Sequence, residues 1–286
     1  MQLEPAPESQ VLEALRSSVP ICKELLERAP ELLYSKHLRQ VGMRTAAGFG
    51  QSGAIRHFMS LGWDPAEDGG EALFVGAGHA EVLQAFFDAG APPMAFHGEI
   101  LVQAAASRSE SAFELCLSHL EIVPNGVLLA ALNAAIANGA VPAATRIIGM
   151  NPAVGDDDWV AILTSVKAAG LEGPAPALLR ALASLGLPAD QTARELVGQS
   201  VEGGAIETIR TLLELGVDLQ DDACRPLQLI FSSDNQQAID LTVAHLFDRQ
   251  LLSESMLHNL VVAKLGMEAS MLRLEAGMRG YAIPPS

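Results

Sequence analysis

The fold is decided by the stretch Gly78-His79-Ala80-Glu81-Val82-Leu83-Gln84-Ala85-Phe86-Phe87-Asp88-Ala89-Gly90, which has a second copy, GAIETIRTLLELG, at residues 204–216. In both copies a glycine is followed twelve positions later by another glycine, and apolar residues stand five, eight and nine positions after the first glycine. At about 3.6 residues per turn these apolar positions form one stripe. The stretch therefore predicts an amphipathic helix that begins at a glycine turn and ends at a residue in the left-handed αL conformation.

The same template recurs along the whole chain. Residues 50–62 and 139–151 fit it well, and Asn151 at the second stop is the next choice after glycine for αL. Weaker copies complete the series, and in the last of them the expected buried stripe includes Met271 and Leu274. The openings lie 28 to 35 residues apart, at Ser17, Gly50, Gly78, Arg108, Gly139, Pro174, Gly204, Asp234 and Gly266. Nine units with a step of about 31 residues indicate a helical repeat array.

A second short segment rich in small residues precedes many of these openings. Examples are residues 43–47, 132–136 and 225–231. We interpret each of these segments as the first helix of a helix-turn-helix unit, because alanine at inward positions lets neighbouring units approach closely. Bulkier residues of the second helix would fill the rest of the core. The sequence thus predicts an all-α solenoid.

The pattern resembles the ankyrin repeat family. The matching residues are Gly78-His79-Ala80-Glu81-Val82-Leu83 with Gly90-Ala91, then Gly204, Glu207, Ile209, Leu212, Leu213, Gly216 and Asp218, and finally Arg225-Pro226-Leu227-Gln228-Leu229. The resemblance implies a single ankyrin-like repeat domain over residues 1–286. It also implies a scaffold, an adaptor, inhibitor or effector, that binds a partner protein through its concave face and its inter-repeat loops.

Some units depart from the family's pattern. Most lack the Thr-Pro-Leu-His segment that begins the first helix in ankyrin repeats. The sixth unit carries Pro174 and Pro176 and a longer turn, so we expect an irregularity in the stack there. The last unit is unusually apolar for a terminal repeat, which suggests that a partner or a second copy covers it. Its apolar residues include Met256, Val261, Val262, Met267 and Met271.

The overall charge is strongly negative. Acidic residues outnumber basic ones by 34 to 18, which gives a formal net charge of −16. Such a surface repels phosphate backbones and anionic lipid headgroups, so neither nucleic acid nor a membrane is expected as a partner. The excess of acid has two interpretations that stay open: it keeps an Ala- and Leu-rich protein soluble, or it suits a basic partner protein.

Cysteine usage and the apolar stretches favour a cytoplasmic protein. Cys22, Cys116 and Cys224 lie about a hundred residues apart, so neither a disulfide framework nor a zinc knuckle is indicated. The sequence shows no basic segment followed by an apolar run at its start, which speaks against a secretory signal. The most apolar stretch, residues 127–144, is interrupted by polar residues, glycine and proline, so a membrane span is not expected.

One motif offers an enzymatic alternative. Residues 48–53, Gly-Phe-Gly-Gln-Ser-Gly, fit the G-x-G-x-x-G pattern of dinucleotide-binding proteins, and Glu71 lies near the place of a ribose-binding acid. The motif binds a pyrophosphate only when a buried strand precedes it. The segment before Gly48 is helix-like, which argues against such a strand. The two hypotheses predict different secondary structure: the dinucleotide-binding enzyme would contain substantial strand, whereas the repeat array would be almost purely helical.

No other catalytic or metal-binding pattern is visible. The histidines show no paired spacing typical of zinc ligands, and His79 occupies a turn position where it is expected to support the turn. The sequence contains no G-x-S-x-G nucleophile elbow, no Walker A loop and no Cys/His pairing by spacing. The sequence therefore predicts no catalytic residues, no metal and no cofactor. The histidines are His37, His57, His79, His97, His119, His245 and His258.

The candidate partner-binding residues lie in the predicted loops between units. The densest acidic cluster, Asp156-Asp157-Asp158, precedes Trp159, and it has two interpretations: acids at a helix N-terminus, or a contact point for a basic partner. Both tryptophans lie in or beside loops, which fits an interface and equally fits local packing. The full set of candidates is Trp63, Asp64, Phe96, His97, Asp156, Asp157, Asp158, Trp159, Asp221 and Asp222.

Overall fold

The computed structural model describes residues 8–17, 24, 34–64, 70–92, 98–187, 191–217, 219, 225–233, 235–249, 251–262, 265–280 and 282–283. These residues form α-helices and short 3-10 segments joined by turns and loops, and none of them forms a strand. The prediction of an all-α protein is confirmed. Among the described helices, none has the length and apolar character that crossing a membrane requires.

The chain divides into two compact units, Met1–Pro152 and Ala153–Ser286. The prediction of one continuous repeat domain stays a prediction, and each unit is described by itself. The described helices of the first unit are α1 (Glu8–Ser17), α2 (Lys36–Gly48), α3 (Ser52–Ser60), α4 (Glu71–Val75), α5 (Ala80–Asp88), α6 (Glu99–Ala106), α7 (Glu110–Ser118), α8 (Asn125–Ala137) and α9 (Val141–Gly149).

The helices of the first unit form successive hairpins. Helices α2 and α3 make one pair, and the pairs α6–α7 and α8–α9 follow. Helices α4 and α5 are joined through a 3-10 turn that contacts both of them. This turn, Gly76–Gly78, extends α4 toward α5. First helices contact the first helix of the next hairpin, from α1 through α2, α4 and α6 to α8. Second helices do the same from α3 through α5 and α7 to α9, so the hairpins are stacked in two layers.

The second unit uses the same arrangement. Its described helices are α10 (Asp156–Ala169), α11 (Ala175–Leu182), α12 (Gln191–Glu202), α13 (Ile206–Glu214), α14 (Arg225–Ser232), α15 (Gln236–Asp248), α16 (Glu254–Val262) and α17 (Gly266–Met278). First helices α10, α12 and α14 contact in succession, as do second helices α11, α13 and α15. Helices α16 and α17 pack against each other as the last described hairpin.

Tight turns with left-handed residues join the helices of a hairpin. Four hairpins have a three-residue turn that contains a residue with positive φ, which allows the chain to reverse abruptly. The turn between α10 and α11 spans residues 170–174 and is longer, as the sequence indicates. The irregularity in the stack that we expect there stays a prediction. The turn residues with positive φ are Gly50 at 70°, Arg108 at 62°, Gly139 at 66° and Gly204 at 72°.

A second set of left-handed residues follows the second helices, as the sequence pattern predicts. The predicted stops at Gly62, Gly90, Gly216 and Asn151 all have positive φ. The opening at Gly78 is different, because this glycine ends a 3-10 turn and its φ is not in the left-handed region. The prediction of a left-handed stop is therefore confirmed at these four positions.

Small residues of the first helices and bulky residues of the second helices share the core. Alanines such as Ala47 and Ala104 are buried on the first helices. The predicted stripe residues Ile55, Phe58 and Phe86 are fully buried on the second helices. Burying one such large side chain contributes about 1.5–3 kcal/mol, so these stripes are the main source of stability in each hairpin.

The predicted buried face of the last helix is wrong. Met271 and Leu274 of α17 are 66% and 67% exposed, whereas Ala269, Leu272 and Ala276 of the same helix are buried. Helix α17 carries apolar residues on two opposite faces, so periodicity alone could not identify the buried one. Its partner α16 packs against the face that carries the two alanines.

Contacts between neighbouring turns hold the hairpins of the first unit in register. The His79 ring nitrogen Nε2 lies 3.1 Å from the Gly48 carbonyl oxygen, 31 residues away, which confirms that His79 supports a turn. Arg108 Nε donates to the carbonyl oxygen of Asn138, at 2.5 Å and 30 residues away. Each bond spans one repeat, so the turns of successive hairpins are aligned.

Alanine substitutions of two turn glycines should separate backbone strain from steric clash. Gly62 has a φ of 84° and open space around a Cβ, so Gly62→Ala should cost about 1 kcal/mol through strain alone. Gly50→Ala has a comparable φ and places the Cβ 2.8 Å from His79 Nδ1, so we expect a loss that is larger by about 1 kcal/mol or more. Urea unfolding followed by circular dichroism measures both.

Gly126→Ala is the matched control, because this helical glycine of α8 also has open space around a Cβ but no left-handed φ. It should stabilise the protein by about 0.5–1 kcal/mol. Adding His79→Ala to Gly50→Ala should recover the steric part of the loss. Equal losses for Gly50→Ala and Gly62→Ala would contradict the clash.

Candidate functional site

The acidic cluster forms the first turn of α10. Asp158 Oδ2 accepts a hydrogen bond of 2.9 Å from the backbone N–H of Gly155, the residue that precedes the helix. Asp158 thereby satisfies a backbone donor, and all three carboxylates lie where the helix dipole favours negative charge. Asp156 and Asp157 are exposed, so their carboxylates remain accessible to a partner.

Both tryptophans are core residues. Trp63 follows α3, is 4% exposed, and stacks on Phe58 with ring centroids 4.2 Å apart and 18° between the planes. Trp159 on α10 is 6% exposed. Because a buried indole leaves little surface for a partner, local packing accounts for both tryptophans better than an interface does. Asp64, next to Trp63, is exposed.

The remaining candidates lie outside the described residues. These are Phe96, His97, Asp221 and Asp222. Of the candidates that the structure describes, Trp63 and Asp64 belong to the first unit, and the group from Asp156 to Trp159 belongs to the second. Within each unit, the described candidates are neighbours in sequence. Among the candidates that the structure describes, the exposed side chains are the carboxylates of Asp64, Asp156 and Asp157.

The G-x-G-x-x-G motif lies between two helices. Residues 48–53 run from the last residue of α2 into the first turn of α3, so in this described part of the chain a helix precedes the motif where the dinucleotide fingerprint requires a strand. The His79 ring packs over Gly50, where a pyrophosphate would have to approach the backbone. Glu71 forms an ion pair with Arg44 of the neighbouring first helix.

Titratable groups with strongly altered chemistry are scarce in the described residues. No three His, Cys, Asp or Glu side chains in that part of the chain come close enough to hold a metal ion. Cys116 is buried on α7, and burial raises the pKa of its thiol to about 12. A thiol with so high a pKa stays protonated at neutral pH and is a poor nucleophile. Cys22 and Cys224 lie outside the described residues.

Two open grooves lie between second helices. In the first unit a groove of about 540 Å³ separates α7 from α9 and is crossed by the ion pair Arg146–Glu114, with 3.2 Å between Nε and Oε1. In the second unit a groove of about 420 Å³ lies between α13 and α15. The second groove is lined by Leu213, Gly216, Val217, Leu219, His245, Leu246, Arg249 and Leu251.

Sequence reasoning missed both grooves. Their linings come from residues about 30 positions apart on different hairpins, and the width of the gap depends on how two second helices pack. Within the second groove, burial is the main cause that lowers the pKa of His245, and the positive charge of Arg249 lowers it further. The nearby carboxylate of Asp248 acts in the opposite direction. His245 therefore adds an uncharged ring to the groove wall at neutral pH.

Removing single carboxylates from the α10 N-terminus should distinguish capping from simple charge. Asp158→Ala loses the hydrogen bond to Gly155 as well as the dipole interaction, so we expect a loss of about 1 kcal/mol in the free energy of unfolding. Asp157→Ala is the matched control and should lose only about 0.3 kcal/mol. Urea denaturation compares them, and equal losses would contradict the capping role of Asp158.

The stability of the second unit should depend on pH through His245. Its folded pKa lies below the usual 6.5, so the unfolded chain binds the proton first as pH falls. The stability is therefore complete above about pH 6.5 and decreases as pH falls below that value. His245→Asn should weaken this decrease in thermal melts between about pH 6.5 and 5.5. The matched control is His258→Asn, which removes an exposed histidine of α16 from the same unit. Equal changes in the two variants would contradict the role of burial at His245.

The likeness to ankyrin repeats depends on the sequence and on local geometry alone. It comes from the repeated stretch at residues 78–90 and 204–216, and from the left-handed residues that close both stretches. The ankyrin family therefore stays a prediction. Comparisons of the chain with protein-family models, with curated proteins and with solved structures found no match.

Proposed function

We propose that the chain is an ankyrin-like repeat scaffold, a solenoid of nine helix-turn-helix units, that binds a partner protein. The observation that carries the proposal is the recurrence of one local arrangement. Helical hairpins and their contacts with the neighbouring hairpins return about every 31 residues within each unit, and four of the described hairpins share a three-residue left-handed turn. A recurring hairpin presents side chains at regular intervals along an extended surface, which suits recognition of another macromolecule.

Bonds between hairpins support a rigid surface. In the first unit, Ser52 Oγ donates to Glu81 Oε2 at 3.1 Å, and the bonds of His79 and Arg108 connect further turns. In the second unit, Arg180 of α11 pairs with Glu207 of α13 at 2.9 Å. Exposed ion pairs add little to the free energy of unfolding. Because these bonds join neighbouring hairpins, they nevertheless help to keep successive turns at fixed positions. A preorganised surface loses less entropy when a partner binds.

The shape of the available surface favours a protein over a small molecule. The grooves of the described residues are open and lined in part by apolar residues, and the groove between α7 and α9 also contains the ion pair Arg146–Glu114. Small ligands usually bind in pockets that enclose most of their surface. A stable protein interface covers about 800 Å² on each partner, which requires side chains from several hairpins. The first helices and the turns of successive hairpins supply such side chains.

The charge of the accessible residues favours a basic partner. The chain carries 34 acidic and 18 basic residues, and the exposed acids beside turns include Asp64, Asp156 and Asp157. Opposite charge on a partner would speed its diffusional encounter, and salt would screen the effect. Asp158 is less available for direct contact, because it is half-buried and its carboxylate accepts the hydrogen bond from Gly155.

The experiment begins with affinity capture by the full chain from its native cell extract at low and high salt. Association of the captured protein is then measured with Asp156→Asn plus Asp157→Asn. We expect association about two- to tenfold slower, with a flatter salt dependence. The matched control is Glu202→Gln plus Asp240→Asn, which removes two exposed charges from the same unit and should change association less.

Capture of no protein at either salt concentration would contradict the proposed scaffold function. Equal effects of the two double variants would reject the α10 N-terminus as the contact point while leaving the scaffold in place. The two results are distinguishable, because the first concerns binding itself and the second concerns its location.

A further inference from the structure

Helix α17 carries an exposed apolar stripe, composed of Met267, Met271, Leu274 and Met278. These side chains are 75%, 66%, 67% and 74% exposed. Their spacing is four, three and four residues, which places all four on one side of a helix. Four such side chains in a contiguous row form an apolar patch of the kind that usually marks an interaction site.

The stripe is separate from the core that α17 makes with α16. The opposite side of α17 is buried and packs in the hairpin with α16. It carries Ala269, Leu272 and Ala276. The exposed side therefore does not contribute to the stability of the hairpin. An alternation of four and three residues is the seam spacing of helices that pack side by side in coiled coils. It fits another helix with the same spacing.

The electrostatic surroundings of the stripe differ from those of the rest of the chain. In sequence, residues 251–286 contain three acids, Glu254, Glu268 and Glu275, and three bases, Lys264, Arg273 and Arg279, so this segment is formally neutral while the chain carries −16. Lys264 lies outside the described residues. Charges farther than about 8 Å away are largely screened at physiological salt. The approach of a second acidic copy is therefore not opposed at this place.

Each flank of the stripe tolerates close approach by an identical helix. Glu268 and Glu275 lie on one flank, and Ser270 and Gly277 lie on the other. Glu275 Oε1 is paired with Arg279 at 2.5 Å, which neutralises part of the acidic flank. The opposite flank carries only small side chains, so it leaves room for a neighbouring helix.

We propose that the α17 stripe binds the same stripe of a second copy, so that the protein forms a dimer about a twofold axis. An isologous interface requires a self-complementary surface, and an apolar seam with a neutral rim has this property. A basic partner would gain little here, because Arg273 and Arg279 balance the acids. A lipid surface would need an excess of basic residues and interfacial aromatic residues, and the described rim has neither.

The experiment measures the mass of the full 286-residue chain by sedimentation equilibrium at concentrations up to about 100 µM. One helix face is a small interface, so we expect a monomer of 30.1 kDa that becomes a dimer in the micromolar range. Met271→Asp with Leu274→Asp should raise the dissociation constant about 100-fold or more, because the dimer would bury unpaired carboxylates. Circular dichroism checks that the variant is folded.

The matched control is Ile122→Asp, which places a carboxylate on a side chain that is 83% exposed in the first unit. This variant should dimerise as the unchanged chain does. A chain that stays monomeric over the whole range would overturn the proposal, and so would a dimer that the stripe substitutions leave intact. Binding of the monomer to lipid vesicles that the stripe substitutions abolish would assign the stripe to a membrane and also overturn it.

The dimer proposal does not depend on the proposed scaffold function. The variant with Met271→Asp and Leu274→Asp should still capture the partner protein, because the proposed contact residues Asp156 and Asp157 are unchanged. Failure of dimerisation and failure of partner capture are therefore separate results.

Discussion

The architecture depends on reversing the chain within three residues between two antiparallel helices. This reversal requires a backbone conformation with positive φ, which glycine adopts without steric cost. Gly50, Gly139 and Gly204 supply it in three hairpins. Arg108 adopts it in a fourth despite its Cβ, and its guanidinium donates to the carbonyl oxygen of Asn138 in the next turn. The strained residue is therefore also one that connects two hairpins.

The hairpins stack closely because their first and second helices bury side chains of different size. First helices carry alanines such as Ala47 and Ala104 at buried positions, so two first helices approach closely. Second helices carry the large residues, including Phe58, Phe86 and Phe113, which fill the space between neighbouring hairpins. Each hairpin buries its apolar side only against its neighbours, so stability is distributed along each unit and is not concentrated in one central core.

The aspartates at the N-terminus of α10 have two different roles. Asp158 satisfies the N-terminus of α10, whereas Asp156 and Asp157 project into solvent from the same turn. Acidic composition and the cluster's position before a helix were readable from the sequence. The burial of Trp63 and Trp159 was not, because a tryptophan beside a loop is buried or exposed according to what the neighbouring helices leave open. The grooves between second helices also depend on long-range packing.

The sequence by itself determined the helical class, the positions of the left-handed stops at Gly62, Gly90, Asn151 and Gly216, and most of the buried stripe residues. These features are local: a glycine or asparagine at a helix end and a 3.6-residue period need no distant contact to be recognised. Only the tertiary structure decided which side of α17 is buried. That helix is apolar on two faces, and the choice between them depends on where α16 packs, which no local period encodes.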